Sequence, residues 1–334
     1  MAATVLAQNT LCYIITSSVR KAACPVGAET GVSLYLMRLA MSCVSGLMVS
    51  CLTVVPSYAQ TVAPTTTHTT LTAVAAENTW GDLAAQVAEP DIHVTSILTT
   101  PTIDPHLYEP SPAEARRVHD ATLLVANGAG YDAWMEHLAS ARSTPAPMVR
   151  ADSWGGWHKG DNTHLWYNLA AVAAFVGHFT ALCQQVDPAH TAGYTARSQT
   201  LLAAIDAVRA HIAALRPKIE GQPVAATEPV FTPLADSLGL VMKERAFQQA
   251  IMNDVEPPAS AVAAFDDDIR QRRVRLVAYN AQADRPSVQR LIASAKQVGI
   301  PVLPVLEIMP AGEHWQTWVD QTVTNVADAL GVTP

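Results

Sequence analysis

Two histidines and two glutamates, His106, His164, Glu228 and Glu307, have the types and settings to hold a divalent cation. His106 lies in Asp104-Pro105-His106-Leu107-Tyr108-Glu109-Pro110-Ser111-Pro112, a loop stiffened by proline on both sides. Each proline fixes its own φ and biases the residue before it towards an extended backbone, so the loop loses little entropy on ordering. His164 precedes Leu165-Trp166, Glu228 precedes Pro229, and Glu307 lies within Leu306-Glu307-Ile308-Met309-Pro310. Imidazole nitrogens and carboxylate oxygens together make a near-tetrahedral or five-coordinate site for a divalent first-row metal. Taken singly, each residue has a plainer reading. His106 and His164 fit surface, packing or capping roles, and Glu228 fits a first-turn carboxylate favoured by a helix dipole. Glu307 resists such a reading, because a carboxylate enclosed by apolar residues is costly unless something pairs with it. Spacing alone leaves the metal site as one reading among several.

The elements around these residues have to bring them together. Ser111-Pro112-Ala113-Glu114 reads as a helix start, with Ser111 as N-cap, Pro112 at the first helical position and Glu114 closing a capping box. Short apolar strands at 71–76, 92–98, 122–126 and 148–151 alternate with helices. The alternation resumes with strands at 223–226, 274–279 and 300–305 and helices at 229–238, 260–272, 286–298 and 314–330. This pattern predicts an α/β protein of two (β/α) lobes with parallel sheets. Between the two runs, Leu201, Leu202, Ile205, Val208, Ile212 and Leu215 recur at three- and four-residue spacing. They predict one helix with a buried stripe, about 40 Å long, that connects the lobes. Ligands of open parallel sheets bind beyond the carboxyl ends of the strands, which places the expected site in the interlobe cleft.

The chain has 334 residues, is 49% hydrophobic and 15% charged, and carries a net charge of −8. It is long enough for two ordinary domains, and its acidity argues against nucleic acid as a partner. Met37-Arg38, the apolar run 39–55 and Ser57-Tyr58-Ala59 fit the basic start, apolar centre and small-x-small cleavage site of a signal peptide, with Met37 a candidate true start. The run is too short for a comfortable membrane span. Met48-Val49-Ser50 is a poor approach to a lipidated Cys51, so a periplasmic protein is expected rather than a lipid-anchored one. Removing 1–59 takes away Arg20, Lys21, Arg38 and Glu29, three cations and one anion, so −8 becomes −10. Cys12, Cys24, Cys43 and Cys51 leave as well, and with Cys183 alone no intramolecular disulfide can form. The expected plan is a leader at 1–59, a disordered threonine-rich tether at 60–70, an N-terminal lobe at 71–186, a connecting helix at 187–217 and a C-terminal lobe at 218–334.

Three motifs give this plan a family. Ala76-Glu77-Asn78-Thr79-Trp80-Gly81-Asp82-Leu83, the proline-flanked His106 stretch, and Val125-Ala126-Asn127-Gly128-Ala129-Gly130-Tyr131-Asp132-Ala133-Trp134 occur in that order. Together with His164-Leu165-Trp166, they resemble the zinc/manganese solute-binding proteins of ABC transporters. The resemblance covers nearly the whole chain after the leader. It implies two lobes on a rigid connecting helix, an interlobe metal site, and delivery of the ion to a permease in the inner membrane with its cytoplasmic ATPase, by a monomer. It makes His106 and His164 ligands by motif. Thr227-Glu228-Pro229-Val230-Phe231 looks like a branch with glutamate as third ligand, and Glu307 stands where the family usually has aspartate. Asn280 and Gln282 are then candidates for supporting or replacement contacts. The long His/Asp-rich loop of zinc members is absent, with only His158 and Asp161 in the comparable place. The cargo implied is Zn2+ or Mn2+. Oxygen ligands favour manganese relative to a three-histidine site, whereas raw affinity favours zinc. No catalytic or cofactor-binding residues are expected.

Two rival readings remain at this stage. Gly128-Ala129-Gly130-Tyr131-Asp132-Ala133 matches G-x-G-x-x-A after a strand, with Asp152 about twenty residues onward, as in a dinucleotide site. Asp132 argues against it, because a carboxylate would stand at the helix N-terminus where pyrophosphate must sit. The second rival is an exported metal-dependent hydrolase using the same histidines and glutamates, but neither H-E-x-x-H nor a comparable base is present.

Overall fold

The computed structural model describes residues 70–332 apart from Asp104, His106, Leu107, Gly155, Asp254, Ala283 and Asp284. The expected leader, the expected tether up to residue 69, and His106 itself lie outside the described residues.

The first half of the described chain builds a four-stranded sheet from β1 (Thr72–Glu77), β2 (His93–Leu98), β3 (Leu123–Ala126) and β4 (Met148–Arg150), in the order β2-β1-β3-β4. Every pairing is parallel. The helices α1 (Asn78–Ala88), α2 (Pro112–Asp120) and α3 (Ala133–Ser140) alternate with these strands. The sheet is covered on both faces, so its central strands β1 and β3 are buried on both sides instead of alternating, whereas the edge strand β2 is buried only at Ile97 and Leu98. On β1 and β3, Ala73, Ala75, Leu123 and Val125 join the main core, whereas Val74, Ala76, Leu124 and Ala126 pack with Val118 of α2 and Met135 of α3. Helix α2 starts as its sequence predicts. Ser111 Oγ accepts from the Glu114 N–H at 3.3 Å while the Glu114 carboxylate accepts from the Ser111 N–H at 2.6 Å.

Helix α4 (Leu169–Val186) leads through a 3-10 turn at Pro188–His190 into α5 (Thr191–Ile219), the long helix. Its buried residues are Tyr194, Ser198, Leu201, Ile205, Val208, Ile212, Leu215 and Ile219, one continuous stripe at alternating spacings of four and three. Leu202, placed in the stripe by its sequence, sits half-buried at its edge. Asp187-Pro188 belongs to the turn and not to the helix, and Pro217 falls within the last helical turn.

The second half repeats the plan. Strands β5 (Pro223–Ala226), β6 (Val241–Lys243), β7 (Val277–Asn280) and β8 (Val302–Val305) form a parallel sheet in the order β6-β5-β7-β8. Its helices are α6 (Thr232–Ser237), α7 (Arg245–Met252), α8 (Ala259–Arg270), α9 (Pro286–Val298) and α10 (Trp315–Ala329). The sequence pattern does not show β6, because a three-residue strand has too few positions to display a period, nor α7, an eight-residue helix whose buried residues are only Phe247, Gln248 and Ile251. The helix expected at 229–238 divides into a 3-10 turn at Pro229–Phe231 and α6, and β7 starts later than the apolar run does.

The fold is therefore α/β, with two parallel sheets and a long connecting helix, as expected. Side chains from both halves share one hydrophobic cluster, in which Trp80, Trp166, Trp315 and the α5 stripe are buried. Polar bonds add direction at the same seam. Asn78 exchanges hydrogen bonds with the backbone of Met309, donating at 2.6 Å and accepting at 3.2 Å. Asp82 accepts from the Trp315 N–H at 2.8 Å, and Trp315 Nε1–H donates to the Trp166 carbonyl at 2.9 Å.

Candidate metal centre

All strands within each sheet run the same way, so their carboxyl ends gather at one edge. Glu77 ends β1, Asn280 ends β7, Glu228 lies two residues beyond β5 and Glu307 two beyond β8. In each sheet the strand order reverses next to the first strand, between β1 and β3 and between β5 and β7, which is where a crevice opens.

His164 enters from the first half. It is fully buried and precedes the 3-10 turn Leu165–Tyr167. Asn162 Oδ1 lies 2.8 Å from the His164 N–H and 2.7 Å from ring Nδ1, while Asn162 Nδ2 donates to the Pro229 carbonyl at 2.6 Å. The bond to Pro229 fixes the amide orientation, so its oxygen must accept and Nδ1 must carry the proton. In the neutral ring the other nitrogen, Nε2, carries the lone pair, and it stands 3.9 Å from Glu307 Oε2, with both side chains 1% exposed.

Glu307 is held on all sides. Tyr131 donates its phenol to Oε2 at 2.8 Å, and Asn280 Nδ2 donates to Oε1 at 2.6 Å. The Glu307 N–H donates to Gln282 Oε1 at 2.6 Å. Asn280 also reaches Glu228 Oε2, at 2.5 Å, so one neutral amide joins the two carboxylates. Its own oxygen accepts from the Gln282 N–H at 2.9 Å, which turns the NH2 group towards the two acids. Both acids are buried, Glu228 at 7% and Glu307 at 1% exposure. This is the pairing that the apolar setting of Glu307 demanded. Glu228 has extended backbone ahead of the turn at Pro229, but its carboxylate turns to Asn280 and makes no capping bond to that turn.

The structure thus brings His164, Glu228 and Glu307 into one buried network. Among the described residues, however, no group of three or more His, Cys, Asp and Glu side chains stands close enough to hold a metal. Asn162, Tyr131 and Glu77 were not singled out by the sequence as site residues. Asn162 had a usable signal, an amide two residues before a candidate ligand, where its oxygen can meet the backbone N–H. Tyr131 had none, since its partner is 176 residues away.

Beneath this network lies a second group of buried acids. Burial pushes the Glu77 carboxyl well above its ordinary range, with Asp132 and Glu307 adding to the rise. Burial likewise raises Asp132, to about 7, against two backbone bonds that favour its ionised form. Neither Glu77 oxygen has a hydrogen-bond partner. Burial thus favours the protonated form of both acids relative to an exposed carboxylate, because it penalises the charge. Burial, then the fields of Glu307 and Glu77, hold the Tyr131 phenol far above its usual pKa, so it stays protonated and donates to Glu307.

In the glycine-rich turn after β3, carboxylates already occupy the N–H groups of Asn127, Gly128 and Ala129 that a pyrophosphate would need. Asp132 accepts from the N–H groups of Asn127 and Gly128 at 2.7 and 2.8 Å, and Asp152 accepts from Ala129 at 2.7 Å. Asp132 stands at the N-terminus of α3, but its side chain makes no capping bond there, because it turns back to this loop. Gly128, at φ +72°, is required by the packing: a Cβ would stand 2.5 Å from the Asp152 carboxylate.

Residues 73–329 match the family described as zinc-uptake complex component A, periplasmic. The chain belongs to this family. It is a family of extracytoplasmic metal-binding components of ABC transporters, and nothing in the comparisons supports a hydrolase. The iron-binding protein YfeA of Yersinia pestis is 22% identical over 228 residues, covering 65% of this chain and 72% of the relative. Among solved structures, FpvC of Pseudomonas aeruginosa in complex with Mn2+ superposes with a TM-score of 0.66 at 17% identity, over 78% of this chain and 98% of that one. The periplasmic zinc-binding protein TroA of Treponema pallidum gives 0.64 at 17%, over 79% and 99%. At these identities the structural likeness establishes the fold, and the family match carries the function.

Proposed function

We propose that this protein captures one divalent first-row cation, zinc or manganese, at a site made by His164, Glu228 and Glu307, with His106 as the fourth ligand by sequence. It then passes the ion to an ABC permease. The observation that carries this reading is the pair His164 Nε2 and Glu307 Oε2, 3.9 Å apart, buried and each oriented from behind. Two donors about 2.1 Å from one ion can stand at most about 4.2 Å apart, so this separation admits a shared ion. Orientation of a ligating histidine through its other nitrogen, as Asn162 does here, is the usual support for a metal ligand. The two carboxylates supply the charge that a dication needs, and ligand binding requires His164 neutral.

Mixed nitrogen and oxygen donors accept both zinc and manganese, and raw affinity ranks zinc higher. The seam of hydrogen bonds between α1 and the segment before α10 supports capture by a frame with little hinge motion. The family description supports a location outside the cytoplasm, and the domain plan of two lobes about residues 187–217 is part of the same reading.

The test is metal content after chelator stripping and re-exposure to equimolar zinc and manganese. The wild type should retain one ion per chain, and His164→Ala and Glu307→Ala should each lose it. A wild type that retains none, or variants that retain the ion as tightly, would overturn the assignment.

A further inference from the structure

Helix α9 begins with Pro286-Ser287-Val288-Gln289-Arg290, and its first turn is left open. Pro286 has no N–H, and the Arg285 side chain before it makes no capping bond. The N–H groups of Ser287 and Val288 meet no acceptor among the described residues. The Ser287 hydroxyl is unserved as well. Ser287 is 2% exposed, yet its Oγ has no hydrogen-bond partner. A buried hydroxyl in that state gives up hydration for nothing within the chain, which points to a partner from outside it.

Ser287 lines a furrow between α8 and α9 with a volume of about 1040 Å³, at the upper end of small-ligand sites. Helix α8 precedes β7 and α9 follows it, and both return against parallel strands, so the two helices run side by side in one direction. Ala259 and Ser287 stand at one end of the furrow, Arg270 and Val298 at the other. Next to the Ser287 end the walls are apolar, with Val262 and Ala263 from α8 and Leu291 from α9. Further along, Ser294 Oγ donates to Asp266 at 2.8 Å, and Arg270 pairs with the same carboxylate at 2.7 Å. This bridge joins the two helices and closes off the apolar part. From Ser287 to Ser294 the helix rises about 10 Å, which sets the length of the slot.

Charge selects the occupant. Arg270 is occupied by Asp266, whereas Arg290, one turn beyond Ser287, has no ion pair or hydrogen bond among the described residues. One uncompensated guanidinium, a helix N-terminus and a hydroxyl suit a single negative charge. Glu256 also lines the furrow, so a dianion would meet more repulsion than this set offsets.

We propose that the Ser287 end of this furrow is a second ligand site, which takes a small amphipathic carboxylate. The head group accepts from the Ser287 hydroxyl, the open first turn of α9 and Arg290, and the tail lies along Val262, Ala263 and Leu291. The proposal does not depend on the metal-site reading.

Octanoate is the probe, since its tail suits a slot of that length. Titration calorimetry on the full chain should show one saturable site for octanoate. Acetate, a head without a tail, and 1-octanol, a tail without a charge, should each bind at least about tenfold more weakly. Ser287→Ala and Arg290→Gln should each weaken octanoate binding by about tenfold. Ser287→Ala should leave the thermal midpoint of the ligand-free protein unchanged or higher, because the hydroxyl has no bond to lose. In crystals grown with 8-bromooctanoate, the bromine anomalous peak should lie between α8 and α9. No saturable binding, octanol as tight as octanoate, affinity undiminished in either variant, or bromine elsewhere would overturn the site. A lower midpoint for ligand-free Ser287→Ala would also overturn it, by showing that the hydroxyl serves the fold itself.

Discussion

Replacing Asn280 by aspartate is the sharpest perturbation of the site, because it changes charge with almost no change of shape. The Asn280 amide nitrogen lies 2.5 Å from Glu228 and 2.6 Å from Glu307 and is 3% exposed. In Asn280→Asp an oxygen takes its place, and three carboxylates then crowd one buried space. They cannot all remain ionised. Taking up one proton at pH 7 costs about 1.4 kcal/mol for each unit above an ordinary aspartate pKa, or ~4 kcal/mol. One of two hydrogen bonds to charged acceptors is also lost, at about 1.5–3 kcal/mol. The metal-free variant should therefore be less stable than wild type by roughly 5–7 kcal/mol at pH 7. Only the proton-dependent part responds to pH. The variant binds more protons folded than unfolded, so its deficit shrinks as pH falls, by ~3 kcal/mol between pH 7 and 5. Urea unfolding of both stripped proteins at the two pH values measures this directly. A deficit below about 1 kcal/mol at pH 7, or one equal at both pH values, would refute the claim that a neutral amide is needed between the two acids.

Further outcomes follow from the surroundings of the site. Glu77→Gln should stabilise the metal-free protein at and above neutral pH, with the advantage fading towards pH 5, as read by thermal unfolding across pH. The folded-state pKa of Glu77 is raised, so the stability it permits is full below its unfolded value and is lost as pH rises through the folded one. A wild type whose stability does not decline over that window relative to Glu77→Gln would remove the buried neutral carboxyl. Asn78→Ala should cost about 1–2 kcal/mol by losing both bonds to Met309, measured by denaturant unfolding, and the transition should remain single because the halves share a core. Two separate transitions would mean that the seam binds the halves less firmly than these contacts require.

The fold was largely legible in the sequence because its signals are local. The β1 and β3 runs, the capping box at Ser111 and Glu114, and the stripe from Leu201 to Leu215 each depend on residues within a few turns of one another. Strand β6 and helix α7 were not legible, since Val241–Lys243 is shorter than any period it might show and Arg245–Met252 makes only about two helical turns. Of the candidate site, the sequence picked out His164, Glu228 and Glu307 as types at strand ends and in motifs, while the contacts that join them in one buried network were not legible. Tyr131 meets Glu307 across 176 residues, and Asn280 joins two acids from separate strand ends, relations that only the folded chain creates. Glu77 was hidden for the opposite reason. At the end of an apolar strand it resembles a solvent-facing stop, yet the fold buries it to 1% exposure.

The most direct test of the account is a crystal structure of the stripped protein reloaded with manganese or zinc, with anomalous data collected at the absorption edge of that metal. The account predicts one strong anomalous peak within about 2.0–2.3 Å of both His164 Nε2 and a Glu307 carboxylate oxygen, with Glu228 also in contact. No peak there, or a single peak at a distant surface site, would contradict the central claim that these buried groups exist to hold an ion.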